Sequence, residues 1–173
     1  MAALIADVLP RLRELDIVLA STSPRRAEIL RAMGLPFTQR APPFEEALEH
    51  RRFASPAHYV AANAWGKALS ILAEPAEPAE HGEKTGRGTV IVASDTSSRV
   101  EFVNFSDAAA EAYAAGGEPL DKAGGYAVQG AGGSLVRSLE GDFHAVMGLP
   151  MALTAAMLRP AAAQAGGRGC GGE

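Results

Sequence analysis

Cysteine is almost missing from this 173-residue chain: Cys170 stands alone, within "GGRGCGGE" near the end. One thiol can build neither an internal disulfide nor a cysteine-ligated metal site, and the cytosol is the compartment such usage predicts. Long apolar runs are missing too. No stretch reaches the ~20 residues of a membrane-spanning helix, and the opening "MAALIADVLPRLREL" carries Asp7, Pro10 and Glu14 where a secretory leader stays apolar. There is no excess of positive charge. A formal net charge of −4 argues against a general nucleic-acid binder, whose non-specific affinity comes from many neutralised phosphates; phosphate chemistry here has to be local. Lysine is scarce, with Lys67, Lys84 and Lys122 the only three among sixteen basic residues, so a lysine kept in a structured segment gains weight as a functional candidate. The four histidines are dispersed without metal-ligand spacing.

What the chain does have is apolar content, 47% of residues, and a mean hydropathy of +0.03. Together with its length these fit one soluble globular domain, expected over residues 1–159. "DIVLAS" (Asp16 to Ser21) reads as a short buried strand. A helix follows at once: Ser23 is placed to cap it, Pro24 suits its first position, Leu30 and Met33 recur at helical spacing, and Gly34 is placed to end it. "LPFTQRAPPF" is extended and leads into the acidic "EEALEHRRF". Ser55 and Pro56 repeat the cap-then-proline signal, and Val60, Ala64, Ala68, Ile71 and Leu72 predict an apolar stripe on a helix over about 55 to 73.

Residues 73–88 are low in complexity and rich in breakers, which predicts a solvated loop. "TVIVA" (Thr89 to Ala93) carries the strongest strand signal in the chain, closed by Ser94, Asp95 and Thr96. "VEFVNF" (100–105) predicts another strand, Ser106 caps an alanine-rich helix ended by Gly116 and Gly117, and a last helix begins near Leu149 or Pro150. From Pro160 on, residues 160–173 predict a disordered tail. Strands alternating with helices place the chain in the α/β or mixed α+β class.

Two arginines in the first turn of the first helix, Arg25 and Arg26, conflict with the helix macrodipole, which puts about half a positive charge at that end. A solvated helix start is one reading. The other is a phosphate site, in which backbone N–H groups, the Ser21 and Ser23 hydroxyls and the planar guanidinium forks surround an anion and remove the conflict. Asp95 follows the best strand, where open α/β sheets bind ligands. It reads either as a turn residue or as a carboxylate that binds a divalent cation or takes a proton from an attacking water. Glu45 and Glu46 read as further metal ligands or as a solvated acidic face. Lys67 borders its helix's apolar stripe, as a phosphate contact or a snorkelling lysine. "LDKAGGYAVQGAGG" combines Asp121 and Lys122 with glycines that let a backbone approach a ligand, and with Gln129, whose amide can read a base edge. Glycine-rich turns between strands are also ordinary.

"LASTSPRRAEIL", "ASDT", "GEPLDKAGGYAVQG" and "LEGDFHAVMGLP" occur in this order, and over residues 17–158 the chain resembles the Maf family of nucleotide pyrophosphatases (septum formation protein Maf-like). The resemblance implies an α/β fold of the Maf/ITPase-like kind, a mixed sheet flanked by helices with a central cleft. It implies hydrolysis of a nucleoside triphosphate to the monophosphate and pyrophosphate, helped by a divalent cation, Mg2+ or Mn2+. By motif, Ser21, Ser23, Arg25, Arg26 and Lys67 correspond to phosphate contacts, Lys122 to a further substrate contact, Glu46 and Asp95 to metal ligands, and Asp95 to the proton acceptor for the attacking water. Arg25, Thr96 and Gln129 bear on base choice. "SPRR", "DT" and "VQG" resemble the branch acting on dTTP and UTP, including modified pyrimidine nucleotides, rather than the branch acting on 7-methyl-GTP. Homodimers are common in the family, so a second copy of the chain is an allowed partner.

The chain departs from the family pattern after "ASDT". The family continues through a glycine-lysine-proline motif, a helix and a serine-glycine-arginine turn, of which only Ser97 to Arg99 remain, so the fold is expected to be truncated in the middle. So short a link permits a hairpin but no parallel crossover, which needs a dozen or more residues. Two functions follow as expectations: an active triphosphate pyrophosphatase, or a catalytically impaired truncated form that binds nucleotide or a partner.

Overall fold

The computed structural model describes residues 5–74 and 91–166. The expected loop is described only at residues 73 and 74, and Thr89, Val90 and residues 167–173 lie outside the described residues. The chain forms two compact units, one of residues 1–95 and 152–173, the other of residues 96–151.

In the first unit a short helix α1 (Leu9–Leu12) precedes β1 (Val18–Ala20), α2 (Pro24–Ala32) and β2 (Thr38–Arg40). β1 and β2 pair in parallel, with Leu19 opposite Gln39 and Ala20 opposite Arg40. Parallel neighbours need a crossover, and α2 provides it. Pro24 occupies its first turn, and Gly34 turns the chain away with φ 76°, a conformation that favours glycine. α3 (Pro56–Ala73) lies against β1. Its start is capped as the sequence predicts: the Ser55 hydroxyl accepts the His58 N–H at 3.3 Å. Its stripe differs from the expectation. Ile71 is buried, but Val60 and Leu72 stay about half exposed, and the other buried position on this helix is Asn63.

Buried apolar side chains of this unit come from Ile5 and α1 (Leu9, Leu12), from α2 and its exit (Ala27, Ile29, Leu30, Met33, Leu35), and from α6 (Met151–Gly166). The last helix corrects the expected tail. Residues 160–166 are helical, with Pro160 inside the helix. Proline removes one backbone donor and opposes its preceding turn, yet Ala155, Leu158, Ala161 and Ala162 form a buried face at helical spacing that carries the helix through.

Arg159 of α6 grips Asp7 with two hydrogen bonds of 2.9 Å. The Arg159 hydrogen bond holds the Asp7 carboxyl below the usual aspartate range. In the unfolded chain that carboxyl has its ordinary pKa, so the pair stabilises the fold above that value and loses its contribution as pH falls through the lower, folded one. An Asp7→Asn protein is therefore expected to show a shallower loss of stability on acidification than the parent, read as Tm against pH. Parallel curves would show that the pair contributes nothing.

The second unit contains β3 (Arg99–Phe102), α4 (Asp107–Ala115), β4 (Val136–Glu140) and α5 (Phe143–Met147), with 3-10 turns at Glu118–Asp121 and Ala131–Leu135. β3 and β4 are antiparallel, with an irregularity between Glu101 and Phe102. Ser106 caps α4, its hydroxyl accepting the Ala109 N–H at 3.3 Å. Ser98 locks the chain entering β3 to the one leaving β4: its hydroxyl accepts the Asp142 N–H at 3.1 Å and donates to the Asp142 carbonyl at 3.2 Å. Asp142 in turn caps α5 by accepting the His144 and Ala145 N–H groups.

The class is α/β, as the sequence implies, with helices and small sheets. The pairings differ from one expectation in a specific place. Ile91 to Ala93, the described part of the strongest strand signal, join no strand, and Val92 is 38% exposed. An extended segment becomes a strand only when a neighbour takes its backbone hydrogen bonds. Among the described residues β1 pairs with β2 and β3 with β4, which leaves this run without a pairing partner. The strand expected over 100–105 is likewise shorter, ending at Phe102.

Candidate functional site

The first unit builds a braced turn from "ASTSPRR". After β1 the chain bends tightly, and Ser21 becomes one of the few buried polar residues, 7% exposed. Its hydroxyl accepts the Ser23 N–H at 3.2 Å and a donor from the Arg26 guanidinium Nη1 at 3.2 Å. Ser23 occupies the N-cap position in an extended conformation, but its side chain makes no capping bond. The expected cap is thus replaced by the Ser21 hydroxyl bracing the Ser23 backbone. Gln39, from the neighbouring strand, donates from Nε2 to the Ser21 carbonyl at 2.8 Å and to the Ser23 carbonyl at 3.4 Å. With its carbonyls tied back, the turn is held in one shape. No acidic side chain occupies the first turn of α2, and the two cations there, Arg25 and Arg26, are both partly buried.

Lys67 and Glu46 come together in the same unit. The Lys67 Nζ lies 2.5 Å from Glu46 Oε1, and the lysine side chain is 19% exposed. The segment carrying Glu46 is drawn onto α3 by Phe44, whose ring lies over Gly66: a Cβ there would sit 2.3 Å from the ring. Nearer the helix end, Arg40 of β2 pairs with Glu74. Asp95 is exposed in the irregular segment after Ala93, and the Ser94 hydroxyl donates to its backbone carbonyl. The expected place at a strand end is corrected: Asp95 follows the unpaired run. Glu45 is exposed.

The predicted carboxylates do not form a resident metal cage. Among the described residues no three His, Cys, Asp or Glu side chains come together, and the Glu46 carboxylate is engaged by an ammonium group. Such a donor set does not fit a cation held by protein alone.

In the second unit Thr96 and Gln129 are exposed. Lys122 is folded inward, 15% exposed at the side chain, paired with Asp121 and donating to the Glu118 carbonyl at 3.1 Å. The loop carrying Gln129 is organised by Glu118 and Tyr113, neither singled out by the sequence reading. The Tyr113 hydroxyl donates to Glu118 Oε2 at 2.7 Å and accepts the Ala127 N–H at 3.0 Å. Glu118 also accepts the Ala131 and Gly132 N–H groups, at 3.0 and 2.9 Å. The Tyr113 hydrogen bond, followed by those backbone donors, holds the Glu118 carboxyl below its usual range. Burial, and then the same contact, pushes the Tyr113 phenol up.

Glycine is required inside this network. A Cβ on Gly132 would lie 2.5 Å from the Tyr113 hydroxyl and 2.9 Å from the backbone N and O of Ala127. Gly132→Ala is expected to cost about 1–3 kcal/mol, the usual range for forced overpacking, measured by chemical denaturation; unchanged stability would mean the loop relaxes freely.

These features define an α/β protein with a braced strand–turn–helix segment bearing two arginines in one unit and a carboxylate-braced glycine loop in the other. The Maf-like protein family model matches residues 16–98 and 81–161, and the chain belongs to that family. Similar curated proteins include the dTTP/UTP pyrophosphatase of Methylococcus capsulatus, 36% identical over 84% of this chain and 91% of the relative. That of Deinococcus radiodurans is 34% identical over 94% of this chain and 98% of its own. That of Gloeobacter violaceus is 32% identical over 82% and 94%. The Gloeobacter alignment runs to 180 positions, more than the 173 residues present, although it takes in only part of this chain. Part of the relative therefore has no counterpart here. The two family matches overlap across 81–98, the region of the shortened link before β3.

Proposed function

We propose that this chain hydrolyses nucleoside triphosphates of the dTTP and UTP class, including base-modified pyrimidines, to the monophosphate and pyrophosphate. The observation that carries the reading is the braced turn at Ser21 to Arg26, which sets two guanidinium groups beside the Ser21 and Ser23 groups at a helix start, a chemistry that suits phosphate; the names of the similar proteins supply the substrate class. In this reading the Ser21, Ser23, Arg25 and Arg26 groups and Lys67 bind the phosphates, neutralising charge that grows as the leaving pyrophosphate departs. Asp95 accepts a proton from a water whose oxygen forms a bond to the α-phosphorus, while the bond from that phosphorus to the α,β-bridging oxygen breaks. A divalent cation, Mg2+ or Mn2+, enters with the triphosphate as part of the substrate, held chiefly by phosphate oxygens. Thr96, Lys122 and Gln129 contribute to substrate choice. The cytosol, where triphosphates are abundant, is the proposed location.

A second reading, an impaired form that binds nucleotide without turning it over, is favoured by one observation, the unpaired run Ile91 to Ala93 beside the shortened link. The deciding experiment is pyrophosphate release from dTTP, UTP, 5-methyl-UTP and 7-methyl-GTP by folded protein with Mg2+ or Mn2+. Release from the pyrimidine triphosphates supports the first reading. Binding of those nucleotides without release supports the second.

A further inference from the structure

The chain between Ala127 and Gly132 is held at both ends by two side chains that precede it in sequence. At one end the Tyr113 hydroxyl takes the Ala127 N–H, and at the other the Glu118 carboxylate takes the Ala131 and Gly132 N–H groups. Tyr113 and Glu118 are themselves hydrogen-bonded at 2.7 Å, so the two anchor points form one connected device. Within the span, the Gly130 N–H donates to the Ala127 carbonyl at 3.1 Å, closing a turn around Val128 and Gln129. Gln129 is thus an exposed residue of a loop in which the Ala127, Gly130, Ala131 and Gly132 N–H groups are all engaged. The fit is close at the carboxylate as well: a Cβ on Gly130 would lie 2.0 Å from Glu118 Oε1. A surface glutamine amide ordinarily samples many orientations, and its power to discriminate between bases depends on how far its backbone is fixed before the ligand arrives.

We propose that Glu118, acting together with Tyr113, is a positioning residue that fixes the Gln129 loop and so sets the preference for a pyrimidine base. This rests on the nucleotide reading above but assigns a separate role, since neither side chain is given contact with the nucleotide. Carboxylate chemistry is needed at Glu118 because three donors converge on it. Glu118→Gln replaces one acceptor oxygen by an N–H2 group that faces backbone N–H, whereas Tyr113→Phe deletes the phenol oxygen and leaves the Ala127 N–H without its partner.

The test measures equilibrium binding of dTTP and GTP, alongside kcat and KM for both, in the parent, Glu118→Gln, Tyr113→Phe, Gln129→Ala and the Glu118→Gln/Gln129→Ala double variant, each shown to be folded by its thermal transition. The dTTP-over-GTP ratio is expected to fall about tenfold in each single variant, through KM and Kd, with kcat for dTTP little changed. The double variant is expected to lose no more than Gln129→Ala alone, because Glu118 acts through that residue. A merely structural role would lower thermal stability and leave the ratio at the parent's value, which would overturn the proposal, as would losses that add in the double variant. A parent that binds pyrimidine triphosphates selectively but does not hydrolyse them would defeat the hydrolase reading while the binding ratios still decide the role of Glu118. No binding of either nucleotide by the parent would overturn both.

Discussion

Asp95→Asn is expected to lower pyrophosphate release from dTTP by about 10²- to 10⁴-fold, the usual contribution of a positioned general base, with the fold and nucleotide binding kept. The substitution exchanges one oxygen for an isosteric nitrogen, so it removes basicity without removing volume. Asp95 is exposed and follows the unpaired Ile91 to Ala93 run, so no buried partner is orphaned; exposed changes of this kind ordinarily stay within about 0.5 kcal/mol of the parent. A large fall in kcat at unchanged Tm and unchanged Kd for dTTP is therefore a chemical effect. The same rate as the parent would remove Asp95 from the mechanism. A parallel fall in binding would recast it as a substrate contact.

Local signals were legible where they concern groups close in sequence. Ser55 and Ser106 cap the helices the sequence assigns them to, Pro24 and Gly34 bound α2, and the βαβ order around "ASTSPRR" appears as expected, because capping and turn chemistry act over three or four residues. Motif order also sufficed to place the chain in its family. What could not be read are the partnerships across distance. Gln39 braces the Ser21 turn from 18 residues away, and Glu118 holds Ala131 and Gly132 from 13 and 14 residues away; neither shows any periodicity or spacing that would mark it. Glu46 was read as a metal ligand, and its pairing with Lys67 depends on Phe44 seating on Gly66. The errors share a cause. "TVIVA" has strand composition, but composition supplies no neighbour to pair with, and Pro160 is a breaker until the buried alanines on either side of it hold the helix together.

Replacing Arg25 and Arg26 together by alanine is expected to weaken binding of dTTP, and of inorganic triphosphate as a base-free probe, by about 100-fold or more while barely changing the stability of the unliganded protein. Two opposing contributions to stability come from this first turn. Removing cations from the first turn of α2 relieves about 0.3–1 kcal/mol each of unfavourable interaction with the macrodipole. Against this, the Arg26 hydrogen bond to the buried Ser21 hydroxyl is lost, worth about 1 kcal/mol, although Ser21 keeps the Ser23 N–H as a partner. The two nearly cancel. No such cancellation protects binding, because each charge-assisted contact to a phosphate contributes about 1.5–3 kcal/mol, or roughly ten- to a hundredfold in Kd at 1.4 kcal/mol per decade. A solvated helix start predicts the opposite pattern: stability equal or raised, with triphosphate affinity unchanged. Calorimetric titration of the parent and the double variant with inorganic triphosphate, at two salt concentrations, separates the cases; for a phosphate site the parent's affinity falls with added salt and the double variant's much less.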